Sequence, residues 1–211
     1  RRLRNPRVVV IGVSTGGPPV LRCILGELTK DFTFPILIVQ HMSKGFTQGL
    51  VDWLGGSSTL PVALGRHGDL LRPGQVVIAP DDYHMEVGPD EQLVLCPDEP
   101  EQGLRPAASH LFRSAATVYG SRTIAVLLTG MGSDGAREML KIKDQGGVTI
   151  AQDEKSCVVY GMPKAAVQMN AVNHVLSPPE IAAMLNRLST ERRNGGETTF
   201  TKSNTLGGVT S

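Results

Sequence analysis

The stretch from Val8 to Pro19, Val-Val-Val-Ile-Gly-Val-Ser-Thr-Gly-Gly-Pro-Pro, constrains this chain more than any other. A short, continuous run of β-branched residues suits a strand covered on both faces, as in a parallel sheet. Gly12 and Gly16 frame Ser14 as Gly-x-Ser-x-Gly, a pattern in which glycines allow a tight strand-to-helix turn and close backbone approach. Pro18 and Pro19 suit the first turn of the following helix, where a missing N–H leaves nothing unpaired. Ser14 would then sit among free helix N-terminal N–H groups, which favour developing negative charge. Two readings remain open for this stretch alone: a nucleophile elbow, or a loop that grips phosphate.

The parallel-sheet reading extends along the chain. Val20, Leu21, Ile24, Leu25 and Leu28 recur at helical spacing, and Ile36 to Val39 is a second aliphatic run that ends abruptly in Gln40 and His41. Leu50, Val51, Trp53 and Leu54 predict a short helix closing at Gly55 and Gly56. Val76–Ala79, Tyr83–Val87 and Gln92–Leu95, separated by turn residues, predict an antiparallel meander. After an acidic loop from Pro97 to Pro106, Leu111, Phe112, Ala115 and Tyr119 mark an inward helix face. Thr123 to Leu128 is the third strong strand, entering the glycine-rich turn Thr129-Gly-Met-Gly-Ser-Asp-Gly135. Val148–Ala151 is a fourth parallel strand, Met162–Met169 a helix, and Ser177-Pro-Pro-Glu180 a capping-box start to a last helix. The predicted fold is α/β: a doubly wound, mainly parallel sheet with helices on both faces and an antiparallel hairpin.

Size and charge bound the alternatives. A chain of 211 residues supports one well-buried domain over residues 7–188, with 1–6 as a linker remnant and 189–211 as a disordered, polar tail. The opening at Arg1, with no methionine, leads us to expect a piece of a longer chain. A net charge of +1 lacks the broad basic field of nucleic-acid binders, so no nucleic-acid partner is expected. The apolar runs are far shorter than the roughly 20 residues that span a bilayer, so no membrane insertion is expected. Cys23, Cys96 and Cys157 are scattered, lack zinc-ligand spacing and read as reduced thiols of a cytoplasmic protein.

Ser14, His41 and Asp134 stand at the ends of three predicted parallel strands, on the sheet edge where open α/β folds bind ligands. A serine nucleophile needs a base, a near-neutral imidazole can serve, and a carboxylate can orient the ring and stabilise the imidazolium. Each also has an ordinary explanation: a satisfied histidine, and an aspartate that caps the helix after it. Among the other histidines only His84 falls near the crevice, as a lining residue at best. The order Ser, His, Asp differs from the Ser, Asp, His of α/β-hydrolases. Serine where a dinucleotide loop needs its second glycine, and the lack of a Walker lysine, weaken nucleotide readings. A non-catalytic docking or anion-gripping module is the alternative from another class.

The motifs Gly12-Val-Ser-Thr-Gly-Gly-Pro18, Val39-Gln-His-Met42, Ile78-Ala-Pro80 with His84-Met85, and Leu111-Phe-Arg-Ser114 appear in that order. They are followed by Leu128-Thr-Gly-Met-Gly-Ser-Asp-Gly135, Ala151-Gln-Asp-Glu154 and Val158-Val-Tyr-Gly-Met-Pro163. Together they resemble the catalytic domain of CheB, the bacterial chemotaxis protein-glutamate methylesterase, over about Pro6 to Leu188. The resemblance implies Ser14 as nucleophile, His41 as general base and acid, Asp134 as the orienting carboxylate, and the Thr15 and Met131 N–H groups as oxyanion hole. It also implies hydrolysis of γ-glutamyl methyl esters on the cytoplasmic helices of chemoreceptors, with release of methanol, and in many members deamidation of receptor glutamines. No metal or organic cofactor is implied. Family members usually carry an N-terminal phospho-accepting receiver domain that restrains and then activates the esterase, which these 211 residues do not include.

Overall fold

A computed structural model describes residues 8–195. The first half of the chain lays down β1 (Val8–Val13), α1 (Gly17–Gly26), β2 (Ile36–Gln40), α2 (Thr47–Gly55), β3 (Val62–Leu64) and β4 (Val76–Ile78). A hairpin, β5 (His84–Val87) and β6 (Leu93–Cys96), follows. The second half contributes α3 (Ala108–Tyr119), β7 (Thr123–Leu127), α4 (Ala136–Asp144), β8 (Val148–Gln152), α5 (Met162–Gln168), β9 (His174–Leu176) and α6 (Pro178–Gly195).

The strands form a seven-stranded sheet in the order β3-β4-β2-β1-β7-β8-β9, with every pairing parallel. The chain builds outward from β1 on one side with β2, and restarts on the other side with β7. That change of direction opens a crevice at the carboxyl end of β1. Period-two alternation explains why β1 is apolar throughout. Val9, Ile11 and Val13 pack under α1, α2 and α6, while Val8 and Val10 face α3, α4 and α5. Every residue of β1, β2, β7 and β8 is buried. The doubly wound parallel sheet with one antiparallel hairpin agrees with the fold read from the sequence.

Two sequence expectations are corrected. The predicted three-stranded meander is a two-stranded hairpin: Val76 pairs in parallel with Ile36 and Val62, and only β5 and β6 run antiparallel. Burial decides this, because β4 is apolar on both faces, with Val76 and Ile78 in one cluster and Val77 in the other. The Pro-Asp-Asp segment after it is not a hairpin turn. Asp81 instead accepts hydrogen bonds from Gly45 N and Thr47 Oγ1, tying this segment to the loop after His41.

The second correction concerns the end of the fold, expected at Leu188. Helix α6 continues to Gly195, and Ser189 is buried. Ser189 Oγ accepts the Thr33 N–H at 2.8 Å, Arg192 donates to Thr33 O and lies over the Phe34 ring, and Arg193 pairs with Asp31. Polar composition argued for a disordered tail from residue 189, but a distant loop satisfies these groups. The remaining tail, 196–211, and the predicted linker, 1–6, lie outside the described residues. Among the described residues no helix is long and apolar enough to cross a membrane.

Candidate active site

The β1 strand delivers Ser14 to the crevice, half-buried, with its own N–H donated to Thr129 O at 2.9 Å. The turn depends on Gly16, which adopts φ +82° as the residue before α1, and whose Cβ would lie 2.5 Å from Val158 Cβ. A second close approach comes from the turn after β7. A Cβ on Gly130 would lie 2.5 Å from Ser14 Cβ, so bare backbone at 130 lets the turn after β7 close on the serine.

His41 extends the pairing of β2 with β1 by one residue, its N–H donating to Val13 O at 2.9 Å. Ser14 and His41 therefore leave adjacent parallel strands side by side. Gln40, 6% exposed, donates its amide to both Ser14 O and His41 O at 2.9 Å, bridging the two segments. The imidazole, its side chain 8% exposed, places Nε2 2.9 Å from Asp134 Oδ2. Nδ1 is thus the ring nitrogen left for the serine. Among the described residues no hydrogen bond yet joins Ser14 Oγ to the ring; such contacts are often long before a substrate is bound.

Asp134 does not cap the helix that follows it, where Gly135 is the capping residue. It caps α3 instead. Oδ2 accepts Ala108 N–H at 2.6 Å, and Oδ1 accepts Ser109 N–H at 2.9 Å and the Ser109 hydroxyl at 2.5 Å. Burial pushes the carboxyl up, but hydrogen bonds from His41 and Ser109 outweigh it, so Asp134 titrates below the ordinary carboxylate value. An ionised carboxylate only accepts, so the proton between Asp134 and His41 belongs to Nε2, and Nδ1 is then the basic nitrogen.

Each predicted site residue thus lies on one sheet edge. Among the described residues the N–H groups of Thr15 and Met131 donate no hydrogen bond; they flank Ser14 on the turn after β1 and the turn pressed against it by Gly130. Both residues are exposed. His84 does not line the crevice. It is fully buried, accepts the Ala107 N–H at Nδ1, stacks on His110 at 3.7 Å, and supports the start of α3. Among the described residues no group of three His, Cys, Asp or Glu side chains could hold a metal ion.

Several supporting residues escaped the sequence reading. Ser109 holds Asp134, and Gln40 holds the Ser14 and His41 segments. The Thr129 hydroxyl donates to Thr15 O and accepts the Val158 and Val159 N–H groups, while Gln152 accepts the Thr129 N–H. A signal did exist: Gln40, Thr129 and Gln152 are polar residues at the carboxyl ends of buried aliphatic strands, where an unpaired polar group would be costly.

Comparison with known proteins shows the family. A family model described as CheB methylesterase matches residues 9–185. The chain is 51% identical over 197 residues to a protein-glutamate methylesterase/protein-glutamine glutaminase of Nitrosospira multiformis, covering 93% of this chain and 55% of that protein. A counterpart from Syntrophus aciditrophicus is 50% identical over 182 residues, covering 86% of this chain and 52% of its own length. The chain therefore spans about half the length of the curated relatives it matches. The crystal structure of the Thermotoga maritima CheB methylesterase catalytic domain superposes with a TM-score of 0.84 at 40% identity, covering 88% of this chain and all of that domain. With a family model matched over most of its length and a crystallised catalytic domain matched end to end, this chain belongs to the CheB methylesterase family.

Proposed function

We propose that this chain hydrolyses γ-glutamyl methyl esters on the cytoplasmic helices of chemoreceptors, in bacterial chemotaxis adaptation. The observation that carries the reading is the 2.9 Å contact between His41 Nε2 and Asp134 Oδ2 beside Ser14, at the edge where β1 and β2 end. Ser14 Oγ attacks the ester carbonyl while His41 Nδ1 takes its proton. The oxyanion forms between the Thr15 and Met131 N–H groups, each donor contributing about 3–4 kcal/mol to the transition state. His41, its positive charge stabilised by Asp134, returns the proton to the methoxy oxygen, and methanol leaves. Water, activated by His41, then cleaves the acyl-enzyme to give the glutamate carboxylate and free Ser14.

The same sequence with an amide leaving as ammonia would deamidate receptor glutamines, in keeping with the double name of the relatives. None of these steps calls for a metal or organic cofactor. The esterase reading is favoured over an anion-gripping module because the carboxylate of Asp134 is paired with His41, an arrangement that a base needs and a phosphate grip does not. In the longer relatives the residues outside the match leave room for a receiver domain, and we place phosphorylation control there. The test is methanol release from a methylated receptor fragment. Ser14→Ala should lower it by more than about a thousandfold with the fold retained, and turnover comparable to the parent would exclude the serine mechanism.

A further inference from the structure

Resting on the esterase reading above, we infer that Ser109 is a positioning residue for the reaction: its hydroxyl locks the Asp134 carboxylate in the one orientation that presents Oδ2 to His41 Nε2. Ser109 is 2% exposed and stands at the second position of α3. Its hydroxyl has both roles filled. Oγ accepts the Gly135 N–H at 3.0 Å, so its single proton is directed to Asp134 Oδ1, 2.5 Å away.

The geometry separates the two carboxylate oxygens by task. Oδ1 takes two donors, both from Ser109. Oδ2 takes the Ala108 N–H and is the oxygen that meets His41. Rotation of the carboxylate moves both oxygens together, so the two Ser109 bonds to Oδ1 resist any turn that would take Oδ2 away from His41. The bond from Oγ to the Gly135 N–H also ties the start of α3 to the turn that carries Asp134. Without the hydroxyl the carboxylate keeps its two backbone donors, but loses the side-chain bond that holds Oδ1 against rotation and favours the ionised form.

The experiment compares the parent chain with Ser109→Ala and Ser109→Thr, reading steady-state methyl ester hydrolysis and an NMR titration of the Asp134 carboxyl carbon. In Ser109→Ala, kcat should fall about tenfold with KM unchanged, as for loss of one charge-assisted hydrogen bond behind the base. The Asp134 midpoint should move up by about one pH unit. Ser109→Thr, which keeps a hydroxyl, should recover most of both. If kcat falls while the midpoint stays, the serine is only structural and the inference is overturned. If the midpoint moves while kcat does not, the link to catalysis is likewise overturned. A parent chain that releases no methanol would refute the esterase reading instead, and the titration alone would still decide whether Ser109 governs Asp134.

Discussion

A Cβ on Gly130 would fall 2.5 Å from Ser14 Cβ and 2.7 Å from Met162 Sδ, so the turn after β7 touches the candidate nucleophile through bare backbone. The Gly130 N–H is bonded to Val159 O, and its carbonyl accepts the Gly161 and Met162 N–H groups. The glycine cannot yield without moving the Ser14 turn or the start of α5. Gly130→Ala should therefore destabilise the fold by about 1–3 kcal/mol by overpacking and lower esterase activity more than stability. Urea unfolding and turnover measured on the same preparation would check this, and an alanine variant with parental turnover would contradict it.

Asp134→Asn should retain a measurable residue of activity. An amide keeps an oxygen for the Ser109 donors, but its NH₂ faces His41 and favours the wrong tautomer, with Nε2 as acceptor. A loss of about three to four orders of magnitude in kcat is expected, leaving what the oxyanion donors and binding supply. Turnover like that of the parent would reduce Asp134 to a cap for α3.

The same carboxylate predicts a pH dependence of stability. Its folded value lies below its unfolded one, so its contribution is fully present above the ordinary carboxyl range, about pH 4, and is lost as pH falls through the lower folded value. Unfolding midpoints of the parent and of Asp134→Asn should stay a constant distance apart from pH 7 to 5 and converge only below about pH 4. Convergence between pH 7 and 6 would mean that Asp134 is not held ionised.

Ser189→Ala tests where the fold ends. The hydroxyl accepts a part-buried Thr33 N–H that would be left unpaired, so about 1–2 kcal/mol of stability should be lost with methanol release unchanged. Thermal melts would read the loss. A variant as stable as the parent would return residues from 189 onward to a loosely held tail.

Much of the architecture was legible because it is written locally. The aliphatic runs of β1, β2, β7 and β8 exceed what a half-exposed strand would carry, and the glycine turns after β1 and β7 announce themselves. Short edge strands escaped notice: β3 is three half-buried residues, and β9 is largely exposed, so neither shows strong periodicity. β4 was visible as a strand but not as a parallel one, since three apolar residues do not say which neighbours will cover them.

The sequence by itself determined the parallel core and the turn that holds Ser14 and, through its ordered motifs, pointed to His41 and Asp134 as candidates. Only the tertiary structure decided how they are held. Asp134 caps α3 and not the helix it precedes; Ser109, from an element 25 residues earlier, fixes its carboxylate; and Ser189 is ordered by a loop 156 residues away. These are hydrogen bonds between groups distant in sequence. Spacing and propensity act over a few residues, whereas a buried donor takes whichever acceptor the packed sheet brings within 3 Å.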